Sequence, residues 1–235
     1  MDPNLLLPSS FEEIRREEPP LPAGGMLIPF GLFVLSFFFW DSMVLWPIKI
    51  LTVLFHELSH GLAAILTGGS IHHIEINANE GGLCVTQGGS RFIIYSAGYL
   101  GSLLWGSGLF LIATKTRYDR EVVTVLGGLL ILVTALYIRS FTGILFGLGF
   151  GAAMIAFANY YGEIACDQLL RYLGLTSSFY VLLDIKSDLI DRSIAESDAS
   201  RLGEMFHLPG FVIGLIWLVM ALAITYKVLH LSLKK

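Results

Sequence analysis

His56-Glu57-Leu58-Ser59-His60 sets two imidazoles four residues apart, with a carboxylate next to the first. On a helix, positions four apart share one face at roughly 6 Å, so both imidazoles can meet a single ion. Glu57 projects about 100° round from His56 and stands beside that ion rather than on it. Two neutral imidazoles and one acidic oxygen suit zinc, and leaving the fourth position to water distinguishes a catalytic site from a structural one. The ion would lower the pKa of that water and polarise a carbonyl, while Glu57 takes the water proton and later passes it to a leaving amine. The chemistry predicted by this pattern is hydrolysis of a peptide bond.

The surroundings sharpen that expectation. The motif lies inside the apolar run from Ile48 to Leu66. Ionisable side chains within a spanning segment cost on the order of 3 kcal/mol each, so three on one helix argue for a polar site that water reaches. The chain has 235 residues, 54% hydrophobic and 14% charged, with a mean hydropathy of +0.70, as expected of a multi-pass integral membrane protein. Leu21 to Trp40, Phe92 to Thr114, Val122 to Ile138, Ser140 to Gly162 and Leu208 to Tyr226 each approach the ~20 residues needed to cross a bilayer. The His56 helix is a sixth such segment. Ile164 to Ile185, interrupted by Asp167 and Arg171, is a potential seventh. The predicted fold is an all-α polytopic membrane protein of six or seven transmembrane helices in one domain, residues 26–235.

Residues 1–25 carry Glu12, Glu13, Arg15, Arg16, Glu17, Glu18 and a proline cluster, which predicts a flexible polar tail and no cleavable signal peptide. The net charge of −4 comes with no basic block and argues against a nucleic-acid partner. Cys84 and Cys166 are too few for a disulfide framework or a thiolate zinc cage and are expected as small buried residues. Lys and Arg counts in alternate loops do not decide the orientation.

The positioning elements follow. Trp40 and Trp46 flank Asp41 as an interfacial turn, Pro47 suits the first turn of the motif helix, and Gly68-Gly69 suits its C-terminal cap. Ile71, Ile74 and Ile76, the turn Asn79-Glu80-Gly81-Gly82, and Leu83, Val85 and Thr86 predict a small β-hairpin directly after the helix. Its edge would hold a substrate extended by backbone pairing, unless the hairpin is only a connection. Gly98, Ser102 and Gly106 form a small-residue stripe expected to pack on the His56 helix. Gly143, Gly147 and Gly151 form another, for packing or for a dimer face. His72 and His73 are expected as ordinary loop histidines, and His207 and His230 as interfacial ones.

A zinc site of this kind needs one more protein ligand. Asp184 ends an apolar helical run and is the first choice, with Asp188 and Asp167 as alternatives. Asp184 and Asp188 share a helix face, so one could bind the ion and the other orient its neighbours. The competing reading is a solvated helix end, supported by Lys186, Asp191, Arg192 and Asp198.

His56-Glu57-Leu58-Ser59-His60-Gly61, Leu66-Thr67-Gly68-Gly69, Asn79-Glu80-Gly81-Gly82, Ser96-Ala97-Gly98-Tyr99-Leu100-Gly101-Ser102 and the Asp184 to Asp188 segment, taken in order, resemble the peptidase M50B-like group of the site-2 protease family. The resemblance covers about Ile48 to Arg201. It implies a membrane-embedded zinc metalloendopeptidase with His56 and His60 as ligands, Glu57 as general base and an Asp from a later helix as third ligand, acting on membrane-anchored protein substrates. Ser59 stands where the family commonly has Gly, and of the Leu-Asp-Gly signature only Leu183-Asp184 is present. The rival readings are a non-catalytic membrane scaffold of the same fold, for which Glu57 has no use, and a zinc or proton transporter, which predicts paired half-repeats that the sequence lacks.

Overall fold

A computed structural model describes residues 23–40, 42–186 and 197–233. Helix α1 (Leu27–Phe38) is followed by α2 (Trp46–Leu66), strands β1 (Ser70–Ile76) and β2 (Gly82–Gln87), then α3 (Arg91–Lys115), α4 (Asp119–Tyr137), α5 (Phe141–Lys186), α6 (Asp198–Phe206) and α7 (Gly210–Leu233). Residues 1–22 of the expected tail, and Asp41 of the expected turn, lie outside the described residues.

Five helices are long and apolar enough to cross a membrane: Met43–Leu66, Arg91–Lys115, Asp119–Tyr137, Phe141–Leu183 and Gly210–Ser232. The chain is a multi-pass membrane protein. The fourth of these reconciles five with the six or seven expected. Helix α5 runs for 46 residues and breaks at Gly162, whose φ of 75° and ψ of −165° leave the helical region. Only glycine adopts that conformation without a steric penalty, so the break falls where the two apolar segments were expected to meet. Helix α1 has 12 residues, about 18 Å of helix, short of a bilayer by itself.

Asp167 and Arg171 do not disrupt the second arm of α5. Arg171 Nε donates to Asp167 Oδ1 at 2.7 Å, both side chains are buried, and Arg171 also donates to the Ala113 carbonyl on α3. The pair satisfies itself one helical turn apart, which lets two charges sit between helices.

Close helix approach depends on small residues. A Cβ at Gly106 would come within 2.6 Å of the Ser178 nitrogen, and one at Gly127 within 2.6 Å of the Gly151 carbonyl. The Gly143–Gly147–Gly151 stripe therefore packs against α4 and the residues joining it to α5. The other stripe divides its service, since Gly98 meets α2 while Ser102 and Gly106 meet α5.

Helix α2 is the centre of the core. Ile50, Leu51, Leu54 and Phe55 are almost wholly buried, and Phe55 stacks on Trp105 of α3 at 5.2 Å between ring centroids. Leu104, Val125, Leu132, Leu145 and Leu222 stay exposed on the outer helix faces, the apolar surface expected to meet lipid.

The hairpin pairs Ser70 with Gln87 through to Ile76 with Gly82, antiparallel, with an irregularity between Ile71 and His73. Its outer β1 edge is already used. Arg139 donates its backbone N–H to the Ile74 carbonyl at 3.0 Å, and the Ser140 hydroxyl accepts from Ile76 N and donates to Ile76 O at 2.8 Å each. His72 and His73 belong to β1 rather than to a loop and pair with one another, Nδ1 to Nδ1 at 2.8 Å.

Candidate metal centre

Two neighbouring turns of α2 present His56 and His60 to the same point. Asp198 Oδ2 lies 3.1 Å from His56 Nε2 and 3.0 Å from His60 Nε2. Ligand atoms about 2.1 Å from a tetrahedral zinc are separated by roughly 3.4 Å, so three donors at these spacings lie close to the dimensions of such a shell. Among the described residues this is the group of His, Cys, Asp and Glu able to hold a metal ion.

Each donor is held from behind. His60 Nδ1–H donates to the Ile94 carbonyl at 2.7 Å, which fixes the tautomer and leaves the Nε2 lone pair facing the site. The His56 ring meets the Tyr99 ring edge-on at 5.0 Å, and Tyr99 rests on Trp217 of α7 at 5.0 Å. Asp198 opens α6, whose N-cap Ser197 accepts from the Ser200 backbone N–H. Ala199 and Leu202 anchor that helix in an apolar cluster with Tyr99, Leu103 and Trp217. Burial alone would raise the Asp198 carboxyl, but the adjacent imidazoles outweigh it and hold the group below the usual carboxylate range. It therefore faces the histidines as an anion.

Gly98 leaves the room these rings occupy. A Cβ there would collide with His56 Nε2 and come within 2.7 Å of His60 Cε1. Gly98→Ala is expected to leave the helices assembled but to weaken metal affinity by about 10- to 100-fold, the range for disturbing the support of a ligand. Metal titration of the purified variant, beside its melting temperature, checks this. Unchanged affinity would show that the rings have room to spare. Ser59 is accommodated by the same device, since its hydroxyl donates to the Phe55 carbonyl at 2.6 Å and fills the space that Gly101 leaves.

Glu57 lies against β2 and is not one of the three converging donors. A Cβ at Gly82 would lie 2.5 Å from Glu57 Oε1, and the Cys84 backbone N–H donates to the carboxylate. The Cys84 thiol is pushed up to about 12 by burial and by Glu57, and it is not among the donor atoms that converge with His56 and His60. A cavity of about 770 Å³ connects these groups, with His56, Glu57, His60 and Asp198 on one side and Gly82 to Thr86 of β2 on the other. The edge of β2 not paired with β1 faces this space.

A family model described as peptidase M50B-like matches residues 30–228. The chain belongs to that family. No significant match appears among curated proteins or among solved structures. The membrane metalloprotease type of fold that the M50B-like assignment implies agrees with the spans, the hairpin and the paired histidines.

The acid that the fold brings to His56 and His60, Asp198, is one the sequence does not single out. In the sequence Asp198 reads as part of a solvated helix end. The side chain of Asp184, near the end of α5, and all of Asp188 lie outside the described residues. The alternative Asp167 is engaged with Arg171 and Gln168 and takes no part in the centre. A signal for Asp198 was present in Ser197, a helix-capping residue, followed by Ala199, Leu202 and Phe206 at helical spacing. That pattern marks a short amphipathic helix with an acid in its first turn.

Proposed function

We propose that this protein is an intramembrane zinc metalloendopeptidase that hydrolyses peptide bonds of membrane-anchored protein substrates. The observation that carries the reading is the convergence of His56 Nε2, His60 Nε2 and Asp198 Oδ2 within 3.0–3.1 Å beside Glu57 in one cavity. Two imidazoles and a carboxylate, each held from behind, form a donor set that fits zinc. Zinc bound there would supply the Lewis acidity that makes water nucleophilic at neutral pH and polarises the scissile carbonyl.

The remaining work falls to the protein. Glu57 takes the water proton and delivers it to the leaving amine, and its bond from the Cys84 N–H keeps the carboxylate aimed along β2. A transmembrane helix hides its amides in its own hydrogen bonds, so a substrate must unwind before cleavage. The open edge of β2 offers replacement hydrogen bonds to the unwound segment and sets it alongside Glu57. A binding scaffold of the same fold would require neither Glu57 nor the metal.

The test is reconstitution in lipid vesicles with single-span membrane proteins as substrates. Cleavage should accompany one zinc per chain, stop on treatment with a strong zinc chelator and return on adding zinc. Metal-free protein that still cleaves, or cleavage indifferent to the chelator, would overturn the proposal.

A further inference from the structure

We propose that Lys49 and Glu80 form a charged latch that fixes β2 at the depth of the metal-binding turn. They act as positioning residues for the substrate strand, so the inference rests on the proteolytic reading above. Lys49 is 4% exposed within the spanning helix α2, about two turns before His56. An ammonium in that setting is costly unless paired. Its Nζ lies 3.0 Å from Glu80 Oε1 in the hairpin turn and 5.4 Å from the centre of the Trp40 ring. Beside it, Trp46 Nε1 donates to the Ala78 carbonyl at 2.9 Å. The tip of the hairpin is thus tied twice to the start of α2.

The other end of the hairpin is tied to the end of the same helix. Gly69 N donates to the Ala64 carbonyl at 2.8 Å, and Ser90 N donates to the Thr67 hydroxyl at 2.9 Å. Between these anchors β2 runs along α2, which brings Gly82 and Cys84 to Glu57. On the side away from β1, β2 meets the Glu57 side chain at Gly82 and Cys84, so its depth along α2 depends on the anchors at its two ends.

The backbone at Glu80 is a separate observation. Its φ is +67°, and among the described residues only Glu80 and His207 are non-glycines at positive φ. Glycine suits that conformation, and Gly81 and Gly82 follow directly. A turn selected for backbone comfort alone would carry glycine at position 80. The chain instead accepts a strained residue whose carboxylate meets Lys49.

A role in folding alone and a role in positioning predict different results for Glu80→Gly. That change relieves the backbone and removes the latch. In the purified full chain zinc content should stay intact, while the melting temperature falls only modestly because relief of the backbone offsets part of the cost of leaving the buried Lys49 without Glu80. Amide hydrogen exchange across residues 82–87 should nevertheless accelerate about tenfold, and KM should rise about tenfold with kcat within about twofold. Lys49→Met should do the same to exchange and KM, whereas Lys49→Arg, which keeps the charge, should stay near wild type. Unchanged exchange in both Glu80→Gly and Lys49→Met, or a fall in kcat at constant KM, would overturn the latch. Exchange needs no turnover, so a wild-type chain that cleaves nothing would sink the proteolytic reading while exchange still decides whether the latch exists.

Discussion

Glu57→Gln should lower kcat/KM for a membrane substrate by about 10²- to 10⁴-fold, the usual share of a positioned general base, while the zinc content stays at the wild-type level. That loss corresponds to roughly 3–5 kcal/mol of transition-state stabilisation. The two halves of the prediction have separate structural grounds. Metal retention is expected because the donor atoms able to hold an ion belong to His56, His60 and Asp198, and Glu57 lies against Gly82 and the Cys84 N–H instead. Loss of activity is expected because glutamine keeps the shape and can still accept from Cys84, but it cannot take a proton from water. Glu57→Ala should fall as far, which would separate proton transfer from packing. Single-turnover cleavage measured beside zinc by elemental analysis checks both halves. A Gln variant keeping more than about a tenth of wild-type activity would mean that another group moves the proton.

Features set by local spacing were legible in the sequence. The His56–His60 face, the Gly68-Gly69 cap and the hairpin all follow from residues within one or two turns or strands of each other. Gly68 does adopt the positive φ, 86°, expected of that cap. The apolar segments were legible because a bilayer needs about twenty such residues in a row. What failed to transfer depended on pairs distant in the chain. The Gly98 stripe was expected to serve one neighbour and serves two, since which face of α3 meets which helix is decided by packing. Asp167 is a local exception, an intramembrane acid whose partner, Arg171, stands only one turn on in the same helix. Lys49 gives no sign of its role within an apolar run because its partner, Glu80, lies 31 residues away.

Asp198→Asn should strip the centre of its metal. It should cost more than the ~10- to 100-fold in zinc affinity associated with disturbing a supporting residue, and cleavage should be lost with the metal. The reasoning is electrostatic and geometric together. Asp198 Oδ2 stands 3.1 Å from one imidazole nitrogen and 3.0 Å from the other, and it supplies the only anion among the three donor side chains. An amide in its place keeps the shape but is neutral and a poorer zinc ligand. Asp198→His offers an imidazole instead, and three histidines are a known catalytic zinc set, so partial metal recovery is expected there. Asp184→Asn provides the contrast, since with Asp198 completing the set it should bind zinc and cleave like wild type. Equilibrium zinc titration of all three variants decides the matter. If Asp198→Asn holds zinc as wild type does while Asp184→Asn releases it, the third ligand belongs to α5 and the role assigned to α6 is wrong.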